Sequence, residues 1–142
     1  MNMIVNDLFK LWDEGKIIAV TTNGCLRKTN AGVMGAGIAL LARNKFPGIE
    51  EELGKQIRSV GNHVALIHDR VYSLPTKHHW KDASPLDLVV RSICELNQLA
   101  GDIEEKIYIP RPGCQNGRLN WLDVRMEIEP HMRNLVLVER SY

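Results

Sequence analysis

A chain of 142 residues, 44% hydrophobic and 25% charged, is long enough to bury one core as a single domain without disulfide or metal staples. A net charge of +1 gives no reason to expect nucleic-acid binding over the whole surface, though it leaves room for a local basic site. Cys25, Cys94 and Cys114 are odd in number, widely spaced and without a CxxC pair, which argues against a disulfide framework or a zinc site. With Asp7, Lys10 and Asp13 early and no long apolar run, neither a signal peptide nor a membrane span is expected, and the simplest setting is a reducing cytoplasm.

Met3-Ile4-Val5 reads as a short strand. Lys16 to Thr21 is stronger, β-branched and nearly all apolar, as a central strand would be. Ala31-Gly32-Val33-Met34-Gly35-Ala36-Gly37-Ile38 is a glycine loop that runs into a helix over Ala39 to Phe46. Ile38, Leu41, Ala42 and Lys45 to Phe46 would form one face of that helix, with Pro47-Gly48 stopping it. A second short helix follows over Gly48 to Ser59. His63 to Ile67 and Arg70 to Leu74 are strands around the turn His68-Asp69, and Pro75 to Ala83 reads as an exposed polar and aromatic loop. Ser84 is expected to cap a helix with Pro85 at its first position, its apolar spacing kept up to Gly101. Lys106 to Ile109 is a strand, followed by a second glycine loop, Pro110 to Leu119. Asn120 can cap a helix in which Trp121, Val124 and Ile128 share a face and which Pro130 ends. Leu135 to Val138 is the closing strand. Alternating strands and helices predict a three-layer α/β domain, whose ligands sit beyond the carboxyl ends of the strands. Both glycine loops, and Thr76-Lys77, stand at such ends.

Glycines let backbone N–H groups approach an anion, and a helix start behind them adds a partial positive charge. Two such loops suggest a phosphate-containing ligand gripped from two sides. A dinucleotide fingerprint is the rival for the first. Its spacing, Gly32-x-x-Gly35-x-Gly37, departs from GxGxxG, and the stretch Thr22 to Asn30 separates strand from loop. No Gly-Lys-Ser/Thr follows, so a Walker loop is excluded.

Four segments together resemble the macro domain family, which binds ADP-ribose: Asn6-Asp7-Leu8-Phe9, Thr22-Asn23, Gly32 to Ala39, and Pro110-Arg111-Pro112-Gly113-Cys114 through Trp121. Leu74-Pro75-Thr76-Lys77-His78-His79-Trp80-Lys81 is similar to the Thr-Lys-x-His-Trp motif of one branch, which includes antitoxins that remove ADP-ribose from thymidine in DNA. The resemblance implies a three-layer α/β/α sandwich with a mixed central sheet over residues 1–142. It implies that Asp7 accepts the adenine amino group, with Leu8 beside it, and that Asn23 lies near the distal ribose. Gly32, Val33, Met34, Gly35, Ala36, Gly37 and Ile38 would face Pro110, Gly113, Cys114, Gln115, Asn116, Gly117, Arg118 and Leu119 across the diphosphate. The motif lysine, Lys77, would be catalytic. Asn6 stands where the family usually has glycine, and Gln115 replaces a common glycine. Gly117 stands where some relatives have an acid that assists the lysine, which argues against the carboxylate-ester type of hydrolase.

A lysine amine, with a free pKa of about 10.4, becomes a nucleophile when burial or a neighbouring cation lowers that value. His78, His79 and Lys81 flank Lys77, so cationic crowding is the expected cause. Lys77 would attack the anomeric carbon as the free amine, or, left protonated, stabilise the departing oxygen or nitrogen or orient phosphate; the plain alternative is a solvated lysine on a loop. Adjacent histidines diverge and lack a spaced carboxylate, so no metal is expected at His78 and His79. Trp80 is either a packing residue or a platform for a nucleobase, Trp121 is core, and Cys114 is a small residue packed behind its loop. The resulting expectation is a cytoplasmic monomer, the domain alone, without cofactor, metal or membrane. Its partner would be ADP-ribose or an ADP-ribosylated substrate, DNA ahead of protein. The expected activity is hydrolysis of an ADP-ribosyl bond to a nucleobase. The rivals are an ADP-ribose 1″-phosphate phosphatase and a reader that binds without cleaving.

Overall fold

The computed structural model describes residues 1–140. One six-stranded sheet runs β1 (Asn2–Asn6), β6 (Leu135–Arg140), β5 (Ile107–Ile109), β2 (Ile17–Asn23), β4 (Val71–Lys77), β3 (Ala65–His68). All its pairs are parallel except β3 with β4, so the sheet is mixed and β2 lies inside it. Side chains alternate across β2, and the two faces build two cores. Ile18 and Val20 join a cluster with Leu8 and Leu11 of α1 (Leu8–Asp13), Ala42 of α2 (Gly37–Lys45) and Ile49 and Leu53 of α3 (Ile49–Val60). Ala19 joins the other cluster with Val89, Ile93 and Leu96 of α4 (Leu86–Ile103) and Val124 and Ile128 of α5 (Trp121–Ile128). These are the three layers expected. Among the described residues no helix is long and apolar enough to cross a membrane.

Four local expectations are corrected. The helix α1 was not expected at all; Asp7 caps it by accepting from the amides of Phe9 and Lys10. Pro75, Thr76 and Lys77 are not loop but the buried end of β4. Proline is tolerated there because β3 begins at Ala65 opposite Ser73, so the ladder on that side has ended before Pro75. Ser84 does not cap α4: Pro85 is the capping residue, extended at ψ 130°, with no side-chain hydrogen bond, and the helix runs past Gly101 to Ile103. Leu41 leaves the apolar face of α2 and is 48% exposed, because Ala42 and Phe46 are the residues that reach the core.

Candidate functional site

A cleft of about 1390 Å³ opens at the carboxyl ends of β2, β4, β5 and β6, where α/β sheets hold their ligands. Its floor is Thr21, Thr22 and Asn23 from β2 with Thr76 and Lys77 from β4. The Asn23 side chain is committed to shape: its Nδ2 donates to the Val33 carbonyl and its Oδ1 accepts from the Cys25 amide. The Thr22 hydroxyl is buried with no partner among the described residues.

The first glycine loop divides in two. The Gly32 amide donates to the Glu50 carbonyl, the Val33 amide to the Cys25 carbonyl, and the Met34 amide to the Glu50 carboxylate. Those donors are spent within the protein. Met34 is fully buried, and a Cβ on Gly32 would lie 2.6 Å from the Leu53 side chain. Gly32 and Met34, expected as ligand contacts, therefore pack within the protein and do not line the cleft. Gly35, Ala36, Gly37 and Ile38 line the cleft, and so does Val33. Ala36 is the N-cap of α2 and supplies no side-chain bond, so the first amides of that helix stand open toward the cleft. Gly37 takes φ +56°, which an L side chain rarely adopts.

The second loop folds over Gly113, at φ +78°, whose carbonyl accepts from the Leu119 amide. Pro110, Gly113, Cys114, Gln115, Asn116, Gly117 and Arg118 line the cleft, and Leu119 instead packs against the core that Ala19 shares with α4 and α5. The loops meet where Asn116 Nδ2 comes within 3.1 Å of the Cβ position of Gly37. Gly117 has no room for a side chain. A Cβ there would sit 2.3 Å from the buried Ser84 hydroxyl, which has no partner among the described residues, and 2.4 Å from the Gly113 carbonyl oxygen. The Cys114 thiol is pushed up by burial, against a smaller opposite pull from Arg111, so it stays protonated, as a packed residue would.

Lys77 is only 8% exposed, and its Nζ donates to the Trp80 carbonyl at 3.1 Å. Asn62 Nδ2 and the Gly24 amide both donate to its carbonyl, fixing the backbone where the β2–β4 register shifts between Thr22 and Asn23. Burial first, and the Arg118 guanidinium second, lower the amine's pKa, while Asp82 pulls it back up. The crowding cation is thus Arg118 from the second loop, not the neighbours His78, His79 and Lys81. His79 Nδ1 accepts from the Lys81 amide, and His78 faces Asn62.

Trp80, read as packing residue or nucleobase platform, lines the cleft, and several further lining residues were not assigned to the site from the sequence: Arg27, Ala39, Leu41, Lys81, Arg111 and the end of β6, Val138 to Arg140. The rule that placed the glycine loops at strand ends also applies to β6 and was the available signal. Arg27, Lys77, Lys81, Arg111, Arg118 and Arg140 make the lining strongly cationic although the chain is near neutral. Arg27 pairs with Glu50 at 3.2 Å and Arg111 with Glu139 at 2.8 Å. Arg111 also lies over the half-buried Trp121 ring, so that residue is the rim of the core and not its centre. Asp7 and Leu8 do not line the cleft: Leu8 is buried in the core under α1. Asp7 stands one residue beyond Asn6, which pairs with the cleft residue Arg140.

No family model matches the chain. It is 25% identical over 140 residues to the DNA ADP-ribosyl glycohydrolase of Thermus aquaticus, a match covering 88% of this chain and 38% of that protein. The chain thus spans about two fifths of that relative's length. Among solved structures it is similar to the macrodomain of Mycobacterium tuberculosis DarG, with a TM-score of 0.76, 22% identity, and 99% and 97% of the two chains covered. It is also similar to Thermosipho africanus DarTG in complex with ADP-ribose, with a TM-score of 0.72, 17% identity, and 99% and 42% covered.

Proposed function

We propose that this chain, which has the macro domain fold, binds ADP-ribose in its cleft and hydrolyses an ADP-ribosyl bond to a nucleobase in DNA. The observation that carries the reading is the Lys77 amine. It is buried on the floor of a cationic cleft, its pKa lowered, between two loops that offer backbone donors. The open amides of α2 and the facing second loop suit a diphosphate. Asp7 suits the adenine end, since both of its capping bonds fall on Oδ1 and its Oδ2 is the acceptor an amino group would use. The distal ribose then reaches Lys77. The anomeric C–N bond breaks, water supplies hydroxyl to the carbon, and a proton goes to the base nitrogen. A lowered pKa increases the neutral amine, which keeps its lone pair while donating one N–H to the Trp80 carbonyl. The reading takes a monomer in the cytoplasm as its setting.

The packing around Gly117 favours the second reading, a reader that binds without cleaving, because no acid has room there to assist the lysine. One experiment separates the readings. The protein is incubated with ADP-ribosylated DNA, ADP-ribosylated protein and ADP-ribose 1″-phosphate, and free ADP-ribose is followed. Release from DNA alone is expected. Release only from the phosphate makes it the phosphatase, and tight binding with no release leaves the reader. Lys77→Ala is expected to slow release from DNA by at least ~100-fold, the scale of a lost acid, base or nucleophile. ADP-ribose affinity should change less than about tenfold. Lys77→Arg keeps charge without a neutral amine, so activity there would indicate electrostatic stabilisation.

A further inference from the structure

β3 and β1 are the two edges of the sheet, and the sequence treats them differently. An edge strand turns unpaired amides and carbonyls to solvent, and proteins blunt such edges with short strands, bulges, proline or charge. β3 has two of these devices: it is four residues long, and its register with β4 shifts between Leu66 and His68. β1 has none of the last three. It is Asn2-Met3-Ile4-Val5-Asn6, uncharged and without proline, and it pairs with β6 in unbroken register along its whole length. Met3 and Val5 share a face with Leu137 and Glu139, their partners in β6, and are 41% and 70% exposed. Ile4 lies on the other face, against the core that α1, α2 and α3 cover.

The order of these residues carries more than their polarity. Asparagine, an apolar residue, isoleucine, an apolar residue and asparagine read the same in both directions. Two copies joined edge to edge about a two-fold axis run antiparallel, and each residue meets the one equally far from the axis. With the axis at Ile4, Met3 meets Val5 of the second copy, Asn2 meets Asn6, and Ile4 meets Ile4. Opposed residues must share a face, so the axis stands at a residue and not between two. At Met3 it would set Asn2 against Ile4, and at Val5 it would set Ile4 against Asn6. Only the central position matches like with like along the whole strand. Asn6 Oδ1 accepts from the Asp7 amide, which leaves the Asn6 Nδ2 to donate across the seam. Glu139, beside Val5, is paired with Arg111 and brings no unpaired charge there. We propose that β1 is a docking edge for a second copy of this chain, joining two six-stranded sheets into one with the two-fold axis at Ile4. The strands of the two halves then run in opposite directions. Each cleft lies at the carboxyl ends of its own strands, so the two clefts open on opposite sides and neither covers the other. The monomer taken as the setting above is the dissociated form, and the pairing stands whatever the cleft hydrolyses.

The test follows the mass of the full chain by light scattering over a range of concentrations, with thermal melting as the check on folding. The expected result is a rise from one chain to two across the micromolar range. A first variant, Met3→Lys with Val5→Lys, sets like charges directly opposite each other on both sides of the axis. It should raise the dimer Kd by about tenfold or more and still fold, because both side chains are exposed. A second variant, Met3→Glu with Val5→Lys, sets opposite charges there and should restore the dimer. ADP-ribose affinity should change less than about twofold in both. Wild type that keeps the mass of one chain up to ~1 mM overturns the proposal. So does a first variant that folds and keeps the wild-type dimer Kd, which would place the contact elsewhere. If the first variant dissociates and the second, folded, does not recover, the register about Ile4 is overturned. A larger loss of ADP-ribose affinity in both variants would overturn the placing of the clefts clear of the seam.

Discussion

Gly35→Glu is the sharpest test of the first loop, because the structure separates its effect on binding from any effect on folding. A Cβ at Gly35 meets nothing within 4 Å, and its φ is not in the left-handed region, so the side chain enters open cleft without strain. Gly35 also lines the cleft just ahead of the open amides of α2. A carboxylate placed there faces the diphosphate. At a separation of about 5 Å and an effective dielectric near 20, two like charges repel by roughly 3 kcal/mol, falling to about 1 kcal/mol in bulk water. A diphosphate carries two charges, so a loss of about 3 kcal/mol is a conservative expectation, more than a hundredfold in Kd. Titration calorimetry reads the binding and thermal melting reads the fold. The expected pair of results is lost ADP-ribose binding with a melting temperature within a few degrees of wild type. Gly35→Ala serves as the control and should change neither greatly. Binding of near wild-type strength in Gly35→Glu would refute the phosphate cradle and leave the loop a turn.

Asp7→Ala removes the cap of α1, costing ~0.5–2 kcal/mol of stability, and should weaken ADP-ribose binding by ~1–3 kcal/mol. Asp7→Asn separates the two, since asparagine caps as well but presents a donor to the adenine amino group; stable folding with weakened binding is expected, and an unchanged Kd would remove Asp7 from the adenine. The pH dependence of kcat follows from the lowered Lys77 pKa. The amine form gains as pH rises through that value, so activity should rise with an inflection below the free lysine value of about 10.4, absent in Lys77→Arg. A rate that falls over the same range would make the ammonium the acting form.

The layers were legible because β2 and α4 carry long, strongly patterned apolar runs. The helix α1 was not, although its capping aspartate was in plain view. Six residues make less than two turns, too few for a 3.6-residue period to stand out from a strand end. Pro75 misled in the opposite direction. It reads as the end of a strand, and only the pairing partner reveals that β3 has stopped before it, which lets β4 carry on to Lys77. A charged residue after a proline looks like surface. The burial of Lys77 comes from tertiary packing, from the Asn62 and Gly24 bonds to its carbonyl and the second loop across from it.

The glycines show where local reading gives out. Sequence marks Gly32, Gly35 and Gly117 alike as places where the backbone comes close to something. What each approaches is decided by residues far along the chain. At Gly32 it is Leu53 of α3, and at Gly117 the Ser84 hydroxyl ahead of α4. At Gly35 it is open space. Two of the three therefore build the walls, and one leaves room for what the walls enclose. The same division runs through the amides: Gly32, Val33 and Met34 spend theirs on the protein, so the ligand-facing half of the first loop begins at Gly35. Glu50 enforces that boundary. Its carbonyl and carboxylate hold the first half of the loop, and its carboxylate also pairs with Arg27 on the rim. Cradle and rim are in this way braced by a single residue of α3 that lines neither.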